Sequence, residues 1–261
     1  MDDLSSAWLQ WSRNEHVPEN TVKSRSRVLR CIGNAGTATR EDVEAWWGTR
    51  RDLAPATRNN DLTNLRTFYR WAARWEYRDD DPTLRLDAPK VPKGLPRPMS
   101  RADLHKVLAV LAPDLRRAVC LGAYAGLRVS EAASLDWDNV DLESNQIRVM
   151  NSKGDKSRPV AISPVLVDEL LPCTGGSVVA AGGTPYTAAT LQRKMNRAFH
   201  AQGVTATFHQ LRHRYGTLAY QATGDLLAVG LQMGHSSPVT TAIYALANDA
   251  VAAKIALAVV R

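Results

Sequence analysis

The sequence predicts a mainly α-helical protein in two parts, the second of which carries a small antiparallel sheet. Apolar residues recur at helical spacing over most of the chain. In DLTNLRTFYRWAARW, for example, Leu62, Leu65, Phe68, Tyr69, Ala72 and Trp75 fall on one face. One stretch, NQIRVMNSKGDKSRPVAI, breaks the pattern. There Ile147 and Val149 alternate with polar residues, SKGDK supplies turn residues, and Val160 and Ile162 alternate again, which marks a hairpin. Between the two parts lies DAPKVPKGLPRPMS, residues 87–100, where Pro89, Pro92, Pro96 and Pro98 exclude a helix.

In chain order, residues 1–88 form an all-helical domain in which Thr39, three residues before Asp42, opens TREDVEAWW as a capped helix. Residues 89–99 are a Pro-rich linker made basic by Lys90, Lys93 and Arg97. Residues 100–261 form the second domain. Ser100 and Asp103 cap DLHKVLAVLA, an apolar helix runs through LRRAVCLGAYAGL, and the hairpin follows. The glycine-rich TGGSVVAAGGTP, residues 174–185, reads as a loop before helices return. Ser237 as N-cap and Pro238 at the first helical position open a late helix with Val239, Ile243 and Leu246 as its apolar stripe. No internal repeat is evident.

A chain of 261 residues, 44% of them hydrophobic, can bury a real core, which argues against disorder. Its 33 Lys and Arg against 26 Asp and Glu leave a formal charge of +7, which favours a polyanionic partner such as nucleic acid. Cys31, Cys120 and Cys173 are odd in number and contain no CxxC pair, so neither a disulfide framework nor a zinc site is suggested and a reducing cytosol fits. No apolar run reaches membrane-spanning length, and the acidic start MDDLSSAWLQW is unlike a signal peptide. The expected location is the cytoplasm.

The sequence has no HExxH, Walker loop or GxSxG, and no acidic cluster that would hold a pair of Mg²⁺ ions, so a two-metal nuclease is disfavoured and no metal or cofactor is expected. Cations and imidazoles recur instead beside glycines or helix starts: Arg128 in AGLRVSE, Lys153 in the hairpin turn, His209 and Arg212 in FHQLRH, and His235 in MGH. Such a set suits a phosphodiester. His209 and Arg212 share one helical face, and two arginine forks neutralise the charge of a five-coordinate phosphorus. Lys153 at a hairpin tip suits a proton donor to the leaving oxygen, since nearby cations lower a lysine's pKa. Tyr244, beside its helix's apolar stripe and near Thr240, Thr241 and Asn248, is placed to aim its hydroxyl into a polar cleft and attack phosphorus. Nothing in the spacing requires His213 or Tyr215 at the phosphate, and both are assigned to structure.

AGLRVSEAASLDWDNVD, NSKGDKSRPVAI, FHQLRHRYGT and MGHSSPVTTAIYA, in that order, resemble the tyrosine site-specific recombinases, the group of the phage integrases and the Xer recombinases. TVKSRSRVLR and ATRNNDLTNLRTFYRWAARWEYRDDDPTLRL resemble the same family's helical core-binding domain. The resemblance implies a helical core-type DNA-binding domain plus a mixed α+β catalytic domain, in the simpler two-domain form without an arm-binding domain. It implies that Arg128 and Arg212 clamp the phosphate, His235 donates to a non-bridging oxygen, Lys153 protonates the leaving 5′-oxygen and His209 assists proton transfer. Tyr244 then forms a 3′-phosphotyrosyl link without metal or ATP. Glu131, three residues past Arg128, holds that arginine in place.

Lys23, Arg25, Arg27 and Arg30 form one basic segment, and Arg66, Arg70 and Arg74 recur every four residues beside the apolar stripe of their helix. Such stripes are otherwise solvated faces, but the resemblance favours contact, and Lys23, Arg25, Arg27, Arg58, Arg66, Arg70, Lys90 and Lys93 are the expected contacts to double-stranded DNA at attachment-type core sites. The resemblance further implies a tetramer on DNA and a monomer when free, with the tail NDAVAAKIALAVVR and its Val251, Ile255, Ala258 and Val259 docking on a neighbouring copy. The resemblance also implies integration of a viral genome in a bacterial host, with a directionality factor as an accessory partner and the protein nucleoid-associated. The other readings are a Xer-like resolvase and a DNA-binding protein of this fold that does not react.

Overall fold

The computed structural model describes residues 1–92, 94–150, 157–172, 175–235 and 238–246, without the side chains of residues 238, 239, 245 and 246. The chain divides into two compact units, Met1–Lys93 and Gly94–Arg261, at a point inside the Pro-rich stretch. Each has an apolar core of its own.

The first unit is built from α1 (Asp3–Asn14), α2 (Glu19–Ile32), α3 (Arg40–Gly48) and α4 (Pro55–Arg74). Local chemistry starts them. Asp2 accepts the Ser5 backbone N–H at 2.8 Å, Thr39 and Asp42 form a reciprocal capping box, and Pro55 stands in the first turn of α4, where its missing N–H costs no helical bond. The apolar faces meet in an aromatic core in which Phe68 lies edge-on to Trp8 and to Tyr69, with centroids 5.3 and 5.0 Å apart. The buried Tyr69 hydroxyl donates to the Ala35 carbonyl at 3.0 Å, whereas the buried indole N–H groups of Trp8 and Trp71 have no partner among the described residues. Trp75 departs from the expected stripe and is 54% exposed. It caps α4, and Glu76 beyond it takes a positive φ of 58°, so the chain leaves the helical path before the spacing can turn Trp75 inward.

In the second unit, α5 (Arg101–Leu108) starts at Ser100, whose hydroxyl accepts the Asp103 N–H at 3.0 Å. The helix α6 (Pro113–Tyr124) is buried continuously from Ala118 to Ala123 and packs against the later helices. Short α7 (Val129–Ala133) leads to a single 3₁₀ turn, Trp137–Asn139, and to a three-stranded antiparallel sheet of β1 (Val140–Asp141), β2 (Gln146–Met150) and β3 (Ser157–Ala161), in that order. The β2–β3 register places Ile147 opposite Val160 and Val149 opposite Arg158. The buried face thus carries three apolar residues and one arginine.

After α8 (Pro164–Leu170) the glycine-rich stretch is less of a loop than its composition suggests. It holds a two-stranded ribbon of β4 (Ala180–Ala181) and β5 (Thr184–Pro185), and Val178 and Val179 are buried in the core of the unit. The described residues continue through α9 (Ala188–Ala201), α10 (Phe208–Thr223), α11 (Leu226–Met233) and α12 (Pro238–Leu246). The last three enclose a small cluster of Tyr220, Val229, Met233 and Tyr244 beside the main core. No described helix is long and apolar enough to cross a membrane.

Candidate active site

The site is organised around one buried carboxylate. Glu131 is the third residue of α7, and its Oε2 accepts the backbone N–H of Arg128, the N-cap, at 2.7 Å. Its Oε1 accepts Nη1 of Arg128 at 2.8 Å, and both oxygens accept the fork of Arg158 at 3.0 Å. Arg212 Nη1 stands 3.9 Å from Oε2. Burial alone would raise the Glu131 carboxyl pKa, but the Arg158 guanidinium and the Arg128 groups bring it down to about 2.

The same three arginines close the end of α11. The last carbonyls of a helix have no partner within it, and the partial negative charge there favours cations. Arg158 Nε donates to the Gln232 carbonyl at 2.9 Å, Arg212 Nη2 to Met233 at 2.6 Å and Arg128 Nη2 to Gly234 at 2.9 Å. Gly234 ends α11 in the left-handed region, at φ 65°, and a Cβ there would lie 2.8 Å from Cζ of Arg158. Arg212, 2% exposed, also donates to the Gly126 carbonyl at 2.6 Å. Burial and the charge of Arg128 lower its pKa to about 10, which leaves it cationic at neutral pH. Among the described residues, three guanidiniums against one carboxylate leave the pocket positive.

On α10, His209, Arg212, His213 and Gly216 are three, four and seven residues apart and share a face. The Tyr244 ring of α12 lies on that face. Its hydroxyl is 3.3 Å from Nδ1 of His213, and a Cβ on Gly216 would meet its Cζ at 2.5 Å. His209 packs edge-on to His213 at 4.3 Å. His235 lies nearly parallel to the Tyr244 ring at 6.4 Å, and its Nδ1 is 2.8 Å from the Thr241 hydroxyl. Burial pushes the Tyr244 phenol up to about 12, against the pull of Arg212 and Arg128. Burial and the neighbouring cations hold His213 and His235 down at about 4, and they lower His209 as well. At neutral pH the site therefore offers fixed cations, neutral imidazoles able to accept or donate, and a protonated phenol. These groups suit binding an oxyanion and bringing a nucleophile to it.

The phage integrase family model matches residues 101–250. The chain belongs to that family. Relatives of this integrase-family chain include the tyrosine recombinase XerA of Thermococcus kodakarensis, 32% identical over 69% of this chain and 67% of the relative. The tyrosine recombinase XerD of Pseudomonas putida is 32% identical over 76% of this chain and 73% of its own. Among solved structures, a lambda integrase dimer bound to a COC′ core site superposes with a TM-score of 0.76 at 17% identity, covering 92% of this chain and 75% of that one. The integrase of mycobacterium phage Brujita superposes with a TM-score of 0.51 at 25% identity, covering 92% and 86%.

Of the residues named from the sequence of this integrase-family chain, Arg128, Glu131, His209, Arg212, His235 and Tyr244 come together. Lys153 lies outside the described residues, as do Lys93, Ser237 and the tail from residue 247. Tyr244 departs from expectation because its side chain, 2% exposed, is part of an apolar cluster rather than lining a cleft. His213, assigned above to structure, is the histidine that reaches its hydroxyl, and its place four residues after His209 was the available signal. Arg158 was missed. The period-two alternation through Val160 and Ile162 puts residue 158 on the inward face, where an arginine must be paired.

The basic residues of the first unit divide into two groups. Arg25 stacks over Trp8 at 4.7 Å and donates to the Ser12 hydroxyl, Arg27 pairs with the buried Asp61, Arg58 stacks over Trp47 at 4.7 Å, and Arg66 donates to the Leu86 carbonyl. The first three tie one helix to another, and Arg66 ties α4 to the segment that follows it. Lys23, Arg70 and Lys90 are exposed.

Proposed function

We propose that this integrase-family chain is a site-specific DNA recombinase, the integrase of a phage or mobile element, acting through a 3′-phosphotyrosyl intermediate. The observation that carries the reading is the placement of the Tyr244 phenol beside a pocket whose guanidiniums exceed its carboxylate by two. Arg128, the more exposed of the two clamping arginines at 40%, and the buried Arg212 hold the phosphate's non-bridging oxygens, with His235 as a further donor. The Tyr244 oxygen attacks phosphorus, and its proton passes to a histidine. His209 is the acceptor expected from the sequence, and His213 is the histidine whose ring nitrogen is nearest the hydroxyl. One P–O bond forms as the P–O5′ bond breaks, and Lys153 gives a proton to the leaving 5′-oxygen. The 5′-hydroxyl of a partner strand then reverses the step, so no energy source is needed.

In this reading residues 1–88 bind the core site, 89–99 link and 100–261 react. The solvent-facing Lys23, Arg70 and Lys90 make phosphate contacts, and Lys93 joins them. The protein is a monomer when free and a tetramer on DNA, joined through the segment after Asn248, and a directionality factor decides between integration and excision. The identity to XerA and XerD supports a second reading, a Xer-like resolvase with the same chemistry.

The test is covalent capture. Wild type and Tyr244→Phe are incubated with nicked duplexes tiling the DNA around the gene, then resolved under denaturing conditions. A protein–DNA adduct made by wild type alone, with the DNA mapped to Tyr244 by peptide mass, is the expected result. Specific binding by both proteins with no adduct from either would leave the non-catalytic DNA-binding reading in its place.

A further inference from the structure

Arg158 is a charged residue on the inward face of a sheet, with its side chain 10% exposed, and every nitrogen of its fork is engaged. Nη1 and Nη2 take the two Glu131 oxygens at 3.0 Å each, while Nε takes the Gln232 carbonyl at 2.9 Å. It thereby ties β3 to α7 and to the end of α11. Those are the two elements that Arg128 spans, through Glu131 Oε1 and the Gly234 carbonyl. Glu131 Oε1 is shared by both arginines.

We infer that Arg158 is a positioning residue: its fork fixes the Glu131 carboxylate against the end of α11 and so sets where Arg128 presents its guanidinium. Charge bookkeeping supports this role. The Arg158 and Glu131 charges cancel, which leaves Arg128 and Arg212 with their full attraction for an anion. Without Arg158 the carboxylate would be left to Arg128 and to Arg212, whose Nη1 stands 3.9 Å from Oε2, and its full charge would fall on the two clamping arginines and draw Arg128 out of place. A lysine keeps the charge but cannot take two oxygens and a carbonyl in one plane, so Arg158→Lys is not a conservative change here.

The inference rests on the recombinase reading, and its test separates the two. Wild type, Arg158→Lys, Arg158→Gln, Glu131→Gln and the Arg158→Gln/Glu131→Gln double variant are compared on the nicked duplexes at saturating protein. The expected result is an adduct rate about 10- to 100-fold lower for Arg158→Lys, with DNA affinity and its salt dependence unchanged. The double variant should be no slower than Glu131→Gln alone, since both changes remove one arrangement. A ¹³C titration of the Glu131 carboxyl needs no substrate, and its midpoint should rise by about 1–3 units in Arg158→Gln. If Arg158→Gln fails to fold, Arg158→Lys takes its place in the titration and in the double variant, with a smaller upward shift expected. An unchanged rate in Arg158→Lys, losses that multiply in the double variant, or an unmoved Glu131 titration would each overturn the inference. A wild type that binds a duplex specifically yet forms no adduct on it would overturn the recombinase reading, and the titration alone would then decide whether Arg158 fixes Glu131.

Discussion

The Tyr244 ring can lie flat on α10 because position 216 carries no side chain. An added Cβ would sit 2.5 Å from Cζ and 2.7 Å from Cε2 of that ring, and 2.9 Å from the Met233 sulfur. Replacing a helical glycine by alanine ordinarily gains about 0.5–1 kcal/mol of backbone entropy. Overpacking a buried contact costs about 1–3 kcal/mol, and here the ring and the thioether are both held in a cluster, so the cost outweighs the gain. Gly216→Ala is therefore expected to lower the thermal midpoint and to displace the Tyr244 hydroxyl from His213. Calorimetry together with the Tyr244 adduct rate measures both, and a stabilised variant with an unchanged rate would show that Tyr244 does not rest on α10.

At the scale of elements, α10 and the end of α11 bring two histidines under the influence of several cations. His235 faces Arg212, Arg128, Arg158 and His209, and His213 faces His209 and Arg212. Both hold folded pKa values of about 4 against an ordinary 6.5, so the unfolded chain binds more protons than the folded one between those values. Stability from this source is fully present above about 6.5 and is lost as pH falls toward 4. Glu131 titrates from 4.5 to about 2 and contributes only at the lower end. The thermal midpoint is accordingly expected to fall between pH 6.5 and 4.5, with a shallower fall in His213→Gln and in His235→Gln. Equal slopes in wild type and both variants would mean that neither imidazole is desolvated in the folded protein.

For the whole molecule, two separate cores imply two cooperative units. Phe68 is fully buried among the helices of the first unit and Phe199 among those of the second. Either one replaced by alanine should cost about 3–5 kcal/mol in its own unit. Scanning calorimetry of the full chain is expected to show Phe68→Ala moving one transition and Phe199→Ala the other. A single transition that moves as a whole in both variants would show that the two units unfold together.

The sequence by itself determined the helical character, the capped starts of α3 and α5, the pairing of β2 with β3 and six of the residues that converge on the candidate site, Arg128, Glu131, His209, Arg212, His235 and Tyr244, because each is written in local spacing or in short motifs. Periodicity could not tell where α4 stops turning, and so misplaced Trp75. Counting charges could not separate Arg25, Arg27, Arg58 and Arg66, which are engaged with rings, a carboxylate and a carbonyl, from the exposed Lys23, Arg70 and Lys90. Only the tertiary structure decided that Arg158 shares Glu131 with Arg128, that three guanidiniums close the end of α11, and that Tyr244 is buried with its hydroxyl at His213. The physical reason is common to all three. Each depends on residues 21 to 106 positions apart in the chain, or on the room left by a glycine on another helix, and local spacing does not encode either.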